Sequence, residues 1–497
     1  SIFNKLKGRA WCIMDKQLAE MDYKGIFKYF SEISKIPRGS GNEEEISEYL
    51  VRFAKSHGLE YNKDLANNVI IIKEASPGYE YEPAIMLQGH MDMVCEKEKD
   101  STHDFLKDGI KLLVDGDFLH ADGTTLGADN GIALAYILAL LSDETLKHPR
   151  IEAVITTDEE VGMNGAKALD LSALKAQYMI NLDSEEEGYL LASCAGGLTG
   201  TCTLPLKRVS EEGKKIRISI GGLKGGHSGM DIVNNRTNAN KLLARLLFDL
   251  REKVSFALLH MEGGNKDNVI PREAFAELVI EAEMYQQFSQ KIDEIMQVYK
   301  KELRSSEPDL EYSLNDLGDG EYKVLHPVSF EKLLFLMIQI PYGVQVMSSD
   351  IEGLVESSLN LGIFRLEDEQ AVICNSVRSS KSSYKKYISD RLKYLVNFLG
   401  GEYIVRSEYP AWEFNKESKL RDHLQRLYKE MYGKEMKVEA IHAGLECGLI
   451  AEKMPGIDIV SIGPDMSRVH TIEERLSISS TIRVYKFLER IIEEKIL

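Results

Sequence analysis

No two cysteines in this sequence stand at CxxC spacing: Cys12, Cys95, Cys194, Cys202, Cys374 and Cys447 are scattered. That pattern suggests neither a thiolate zinc site nor a disulfide framework, so the thiols are read as reduced. No stretch approaches the ~18 apolar residues needed to span a bilayer. The opening SIFNKLKGRAWCIMDKQLAEM has no continuous apolar core, so no secretory leader is expected and the cytoplasm is the expected compartment. Low-complexity tracts are absent, and the charged segment CEKEKDSTHDFLKD reads as a solvated loop rather than a linker. Positive charge is in deficit: 61 Lys and Arg against 79 Asp and Glu leave a formal net charge of −18. This works against phosphate backbones and anionic membranes, so neither nucleic acid nor membrane is an expected partner.

What remains is an ordinary globular composition, 43% hydrophobic and 28% charged, over 497 residues, enough for about two to four domains. The first ~200 residues alternate helix-like and strand-like segments. EEISEYLVRFAKSHG and GIALAYILALL read as helices; NNVIIIKE, AIMLQ, IEAVITT and YMINLD read as strands. Near the other end, IDIVSIG reads as one more strand and SSTIRVYKFLERIIEEKI as an amphipathic closing helix. The expectation is an α/β fold: a mixed, mainly parallel sheet with helices on both faces, to which both ends of the chain contribute. Between them KKIRISIGGL, AFAELVIEAEMY, SSLNLGIFRLEDEQAVICNSV and GEYIVRSEY alternate with helical segments, which reads as an inserted α+β domain. The boundaries drawn are 1–199, 200–411 and 412–497, with a weak internal repeat across 215–305 and 355–410.

The chemistry-bearing residues fall at strand ends of the outer domain. QGHMDMV places His90 and Asp92 two residues apart, so that both side chains leave a strand on one face. VITTDEEVG places Glu159 and Glu160 after a strand, and MINLDSEEEG places Asp183 at the end of another. GADNG sets Asp129 just ahead of a helix, and SIGPDMSRVHTIEE delivers His470 after the last strand. Each has an ordinary reading: Asp129 as a helix N-cap, the TTDEE acids as a solvated turn, His470 as a loop histidine. Because open α/β sheets bind ligands beyond the carboxyl ends of their strands, the co-location favours one site. Two imidazoles with several carboxylates suit zinc or a similar dication, and one carboxylate is able to bridge a pair of ions about 3.5–4 Å apart. Two dications bring roughly +4 against −3 from three carboxylates and −1 from a bridging hydroxide, so the set is neutral with Glu159 left over as a base. Asp92 then has the role of holding the other ring nitrogen of His90.

These motifs, in order and in context, resemble the dinuclear-zinc metallopeptidase family that includes carnosinases, aminoacylases and carboxypeptidases of the aminoacylase type. QGHMDMV resembles its H-x-D strand end, GADNG its bridging-aspartate turn, TTDEEVG its Glu pair, and NLDSEE with His470 completes the set. In the inserted domain GGHSG and NVIP resemble the histidine motif and a substrate-facing strand of the family's lid. The resemblance implies a zinc-peptidase catalytic domain with an inserted lid. It implies that His90, Asp129 and Asp183 hold one metal ion and that Asp129, Glu160 and His470 hold the other. The ions are expected to be Zn2+, with Co2+ or Mn2+ as alternatives. Glu159 is implied as general base, with Asp92 beside it, and His227 as donor to the tetrahedral oxyanion. Asn268, Arg378, His442 and Glu446 are implied as substrate-binding, a homodimer through the lid is a family expectation, and the partner is a small peptide. IHAGLECGLI resembles the bacterial aminoacyl-histidine dipeptidase branch, which cleaves dipeptides with C-terminal histidine, β-alanyl-histidine among them. A related amide hydrolase, aminoacylase or tripeptidase, and a catalytically silent relative are the alternatives. On residue type alone, GGHSG also reads as a turn with an incidental histidine, Arg378 as a solvated arginine, and HAGLECG as a strand-to-helix turn with a structural Glu446.

Overall fold

The apolar run AIML becomes the strand Ile85–His90, buried at all its residues, as a strand covered on both faces should be. In the computed structural model, which describes residues 16–496, it pairs in parallel with Ile151–Thr156 on one side and Tyr178–Asn181 on the other. Asp458–Ser461 continues the sheet in parallel beside Tyr178–Asn181, so both ends of the chain share one sheet. Antiparallel neighbours flank this parallel centre: Glu60–Lys63 pairs with Val69–Lys73, which pairs with Ile151–Thr156, and Tyr189–Cys194 pairs with Asp458–Ser461. The eight-stranded sheet is therefore mixed, as expected, with its parallel pairs gathered where the site residues leave it.

The helix Ala128–Ser142, ADNGIALAYILALLS, has no polar face and is buried throughout except at its last residue. It packs against Ile26–Ser34 and against the strand Ile85–His90. Gly89 permits that approach: a Cβ there would lie 2.6 Å from the Ala133 Cβ and 2.6 Å from the Asn130 Oδ1. The Asn130 side chain uses the space gained, accepting the His90 amide at 3.1 Å and donating to the Leu182 carbonyl at 2.8 Å. The closing helix Ile478–Glu493 begins at Ser477, whose side chain accepts from the Ser480 amide.

The chain divides into two compact units. One comprises the described residues through Ala192 together with Asn415–Ala440 and the described residues from Leu449 on; the other comprises Ser193–Phe414 and Ile441–Gly448. The second is built on a nine-stranded sheet whose strand Val355–Leu366 joins Gln370–Ser379 on one side and Ala257–Gly263 on the other. The two stretches read as a weak repeat are thus neighbouring halves of one sheet. Helices Ala239–Arg251, Tyr285–Leu303, Pro327–Gln339 and Ser382–Phe398 contribute to its apolar core. Ile441–Gly448, assigned by sequence to the closing stretch 412–497, belongs with this unit. The Ala195 amide donates to the Ile441 carbonyl, and His442 bonds to Ser358, contacts with parts of the chain too remote for local pattern to show.

Among the described residues no helix is long and apolar enough to cross a membrane. Cys95, Cys194, Cys202, Cys374 and Cys447 are free thiols, while Cys12 and most of the N-terminal segment read above lie outside the described residues.

Candidate metal centre

The sheet strand ends at His90, which is 1% exposed. Its Nδ1 faces the Asp92 carboxylate at 3.2 Å and the Asp92 carbonyl at 3.1 Å, both acceptors. Nδ1 therefore carries the proton and Nε2 is the donor nitrogen, directed at Asp129 Oδ1 (3.2 Å) and Asp183 Oδ1 (3.4 Å). Burial opposes protonation of His90, yet the Asp183, Asp129 and Asp92 carboxylates override it and raise the imidazole well above its ordinary range.

Asp92 does more than orient His90. It also accepts the Ser40 hydroxyl at 2.8 Å and the amides of Glu159 and Glu160 at 3.1 and 3.2 Å. Burial favours its neutral form, but these bonds, led by that from His90, hold the carboxyl below its usual range. The strand Ile151–Thr156 ends before the acidic residues, which occupy the following turn and point to separate partners. Glu160 meets His470 at 2.9 Å, while Glu159 Oε2 lies 3.9 Å from His90 Nε2. Asp158, at positive φ, is held by its amide to Glu43, whose carboxyl burial pushes up to about 7.

Asp129 is not an N-cap. The helix is entered through Gly127 at φ 72, with no side-chain cap, and Asp129 itself departs from helical geometry at ψ 104. Its two oxygens are divided between two histidines: Oδ1 faces His90 and Oδ2 faces His470 at 2.9 Å. Burial disfavours the charge, yet hydrogen bonds from His470 and His90 hold Asp129 well below the usual carboxylate range. Asp183 goes the other way. Burial, with Asp129 and Glu160 adding to it, pushes it to about 7 although His90 opposes the rise. His470 is half exposed at positive φ, and hydrogen bonds to Asp129 and Glu160 raise it to about 11.

One donor atom from each of His90, Asp129 and Asp183, and one from each of Asp129, Glu160 and His470, fall within 4.8 Å of one another. His90, Glu159 and Glu160 form a third such group. Imidazole and carboxylate donors in an anionic pocket, with Asp129 common to the first two groups, are a set that fits a pair of divalent ions.

The remaining candidates lie in the second unit. GGHSG and NVIP, read separately in the sequence, pair with each other: Gly226–His227 runs antiparallel to Val269–Ile270, and the Ser228 amide donates to the Asn268 carbonyl. His227 Nδ1 accepts the amides of Gly229 (3.1 Å) and Met230 (3.2 Å), which leaves the ring proton on Nε2. Burial, with Arg378 nearby, lowers its pKa, so the ring is a neutral N–H donor at ordinary pH. Arg378 is not a solvated arginine: it is 7% exposed and donates to the Tyr409 hydroxyl at 3.1 Å. His442 is buried, with Nε2 at 2.7 Å from the Ser358 hydroxyl; burial and then Arg378 and His227 press its pKa down to about 3. Glu446 is buried at the start of the helix Glu446–Lys453, which follows the strand Lys437–Ile441, so HAGLECG does form a strand-to-helix turn. The side chain of Asn268 is exposed.

Sequence reasoning missed the residues behind the first unit's cluster. Ser40 lies in the glycine-rich RGSGN, Glu43 directly follows it, and Glu474 follows His470 by four residues. None is a donor to the cluster, so donor-type spacing gave no sign of them; the density of glycine around RGSGN was the available signal.

With this geometry in view, the comparisons are specific. Peptidase family M20/M25/M40 matches residues 86–494. Cytosol non-specific dipeptidase of Escherichia coli is 36% identical over 481 residues, covering 96% of this chain and 99% of that protein. The crystal structure of aminoacylhistidine dipeptidase from Vibrio alginolyticus superposes with a TM-score of 0.89 at 34% identity, covering 95% of this chain and 98% of that one. Aminopeptidase PepT from Bacillus cereus, 16% identical with a TM-score of 0.56 over 95% of this chain and 99% of that one, shares the fold. The chain belongs to Peptidase family M20/M25/M40 and is a metallopeptidase hydrolase.

Proposed function

We propose that this chain hydrolyses dipeptides with C-terminal histidine, β-alanyl-histidine among them, using two divalent metal ions, zinc by preference. The observation that carries the two-metal reading is Asp129, whose oxygens are divided between His90 and His470 while Asp183 and Glu160 complete the two donor groups. When bound, such ions supply Lewis acidity to the scissile carbonyl and acidify water at the site. Glu159 is the general base, taking a proton from the attacking water and passing it to the leaving amine. Asp92 fixes the His90 tautomer and the turn that aims Glu159. His227, neutral with its proton on Nε2, has the chemistry of an oxyanion donor, and Arg378 that of a carboxylate clamp. Asn268, His442 and Glu446 are the further substrate-binding residues of this reading. The preference for histidine is supported by the Vibrio structure's name and by IHAGLECGLI; cytoplasmic location is supported by the Escherichia coli relative's name.

The same relative is called non-specific, which favours a second reading in which many dipeptides are substrates. Hydrolysis of β-alanyl-histidine and a set of alanyl dipeptides, with chelator and with added zinc or manganese, separates the two while bound metal is counted. Turnover confined to C-terminal histidine, lost on chelation and restored at about two ions per chain, is the expected result. Comparable turnover of dipeptides without histidine establishes the broader activity. A chain that takes up no metal overturns both.

A further inference from the structure

Glu474 contributes no donor to the cluster, yet it reaches the turn that carries Asp129. Its side chain is 2% exposed. Oε1 accepts the amides of Leu126 (2.8 Å) and Gly127 (2.9 Å), and Oε2 accepts those of Ala128 (2.9 Å) and Asp129 (3.3 Å). Four consecutive main-chain donors at a helix entrance thus converge on one carboxylate, where the helix has no acceptors to offer them. Only an ionised carboxylate presents acceptors alone at both oxygens; a primary amide in its place turns an N–H pair towards two of the four donors.

The carbonyl side of the same turn is also held. Arg38 donates to the carbonyls of Gly127 and Met91, so Gly127 is gripped through its N–H by Glu474 and through its oxygen by Arg38. A Cβ at Gly127 or Gly131 would come within 2.5 or 2.6 Å of Arg38 Nη2, so the glycines of the turn make room for the guanidinium. Meanwhile His470, four residues before Glu474, sits in an exposed loop and meets Asp129 and Glu160 through Nε2.

We propose that Glu474 is a positioning residue that ties the His470 loop to the Asp129 turn, so that the shared carboxylate and the exposed histidine keep one relative geometry. This rests on the two-metal reading above. Partners one layer behind metal ligands typically influence affinity by about 10–100-fold, and that is the range expected here.

The test compares the full chain with Glu474→Gln and Glu474→Asp. In the metal-free proteins, hydrogen exchange of the segment 126–129 reports the clamp directly. After reloading, Co2+ titration followed by visible absorption reports the donor geometry, and kcat and KM are measured with β-alanyl-histidine or whichever dipeptide the wild type turns over. Expected for Glu474→Gln are faster exchange at 126–129, Co2+ affinity lowered about 10–100-fold with an altered spectrum, and kcat reduced with KM within about threefold; Glu474→Asp recovers part of each. A purely structural role lowers the melting temperature but leaves Co2+ affinity and spectrum as in the wild type, and that result in a folded Gln variant overturns the proposal. Failure of both variants to fold overturns it too, since the carboxylate is then a folding determinant. If the wild type itself takes up no metal, the two-metal reading fails and this one falls with it, a result distinguishable because exchange at 126–129 still reports whether the clamp exists.

Discussion

Replacing Asp92 by Asn removes one acceptor from a carboxylate that has none to spare. Oδ1 serves His90 Nδ1 and the Glu159 amide, and Oδ2 serves Ser40 and the Glu160 amide. If the new NH2 takes the Oδ2 place, the Ser40 hydroxyl can reverse and accept from it, but the Glu160 amide loses its acceptor. If it takes the Oδ1 place, the Glu159 amide loses its acceptor, and the NH2 turns against His90 Nδ1–H, which keeps only the Asp92 carbonyl and is pushed off its line to the cluster. Either arrangement strands a part-buried main-chain donor, at a cost of up to about 1–3 kcal/mol in stability. Either also disturbs a donor of the cluster, so metal affinity should fall about 10–100-fold, equivalent to about 1.4–2.7 kcal/mol. Asp92 is fully buried, so solvent does not reach its side chain to replace the lost acceptor. Competition of the Asn variant against a chelator of known affinity, beside urea unfolding of the metal-free chain, measures the two effects separately. Wild-type metal affinity and turnover in a folded Asn variant would refute the reasoning.

Three further outcomes follow from the same geometry. Glu159→Gln should keep its metal and lose at least ~10² in turnover, read by kcat and metal analysis on one preparation; loss of metal instead would make Glu159 a ligand, a role its grouping with His90 and Glu160 permits. Gly89→Ala should destabilise the first unit by about 1–3 kcal/mol in urea unfolding, because its methyl meets Ala133 and Asn130 at 2.6 Å; an unchanged midpoint would mean that the helix yields freely. His442, with a folded pKa of about 3 against an ordinary 6.5, binds its proton only on unfolding between those values. Its contribution is fully present above pH 6.5 and is lost as the pH falls, at about 1.4 kcal/mol per pH unit at most. Metal-free wild type should therefore lose stability between pH 6.5 and 4.5 more steeply than His442→Gln, and equal slopes in urea titrations would contradict the burial described.

Much of this was legible in the sequence because strands and donors are local signals. The apolar run AIML and the polar QGHMD state in adjacent residues that a buried strand ends at a site, and the other donors also follow strand-like runs except Asp129, which stands ahead of an apolar helix. The sharing of one sheet by the two ends of the chain was legible for the same reason, since IDIVSIG has the composition of an inner strand. What was not legible depends on contacts distant in the chain. Arg38 and Glu474 meet the same turn from more than 80 and more than 340 residues away, and neither is distinguished by its neighbours from a surface charge. The helix-entry role of Asp129 was misleading for a related reason: Gly127 and Glu474 satisfy the helix entrance, which frees the aspartate for the histidines. His442 could be named as a candidate, but its membership of the second unit depends on Ala195 and Ser358, which no spacing rule connects to it.

The antiparallel pairing of Gly226–His227 with Val269–Ile270 makes a single mechanical part of two segments some forty residues apart. Displacing the loop at Asn268 drags the Ser228 amide, and with it the ring of His227, because the backbone rungs between them are the stiff connection. Variation in NVIP therefore reaches the histidine without touching it, and a substitution in that loop also resets the direction in which the His227 ring presents its N–H.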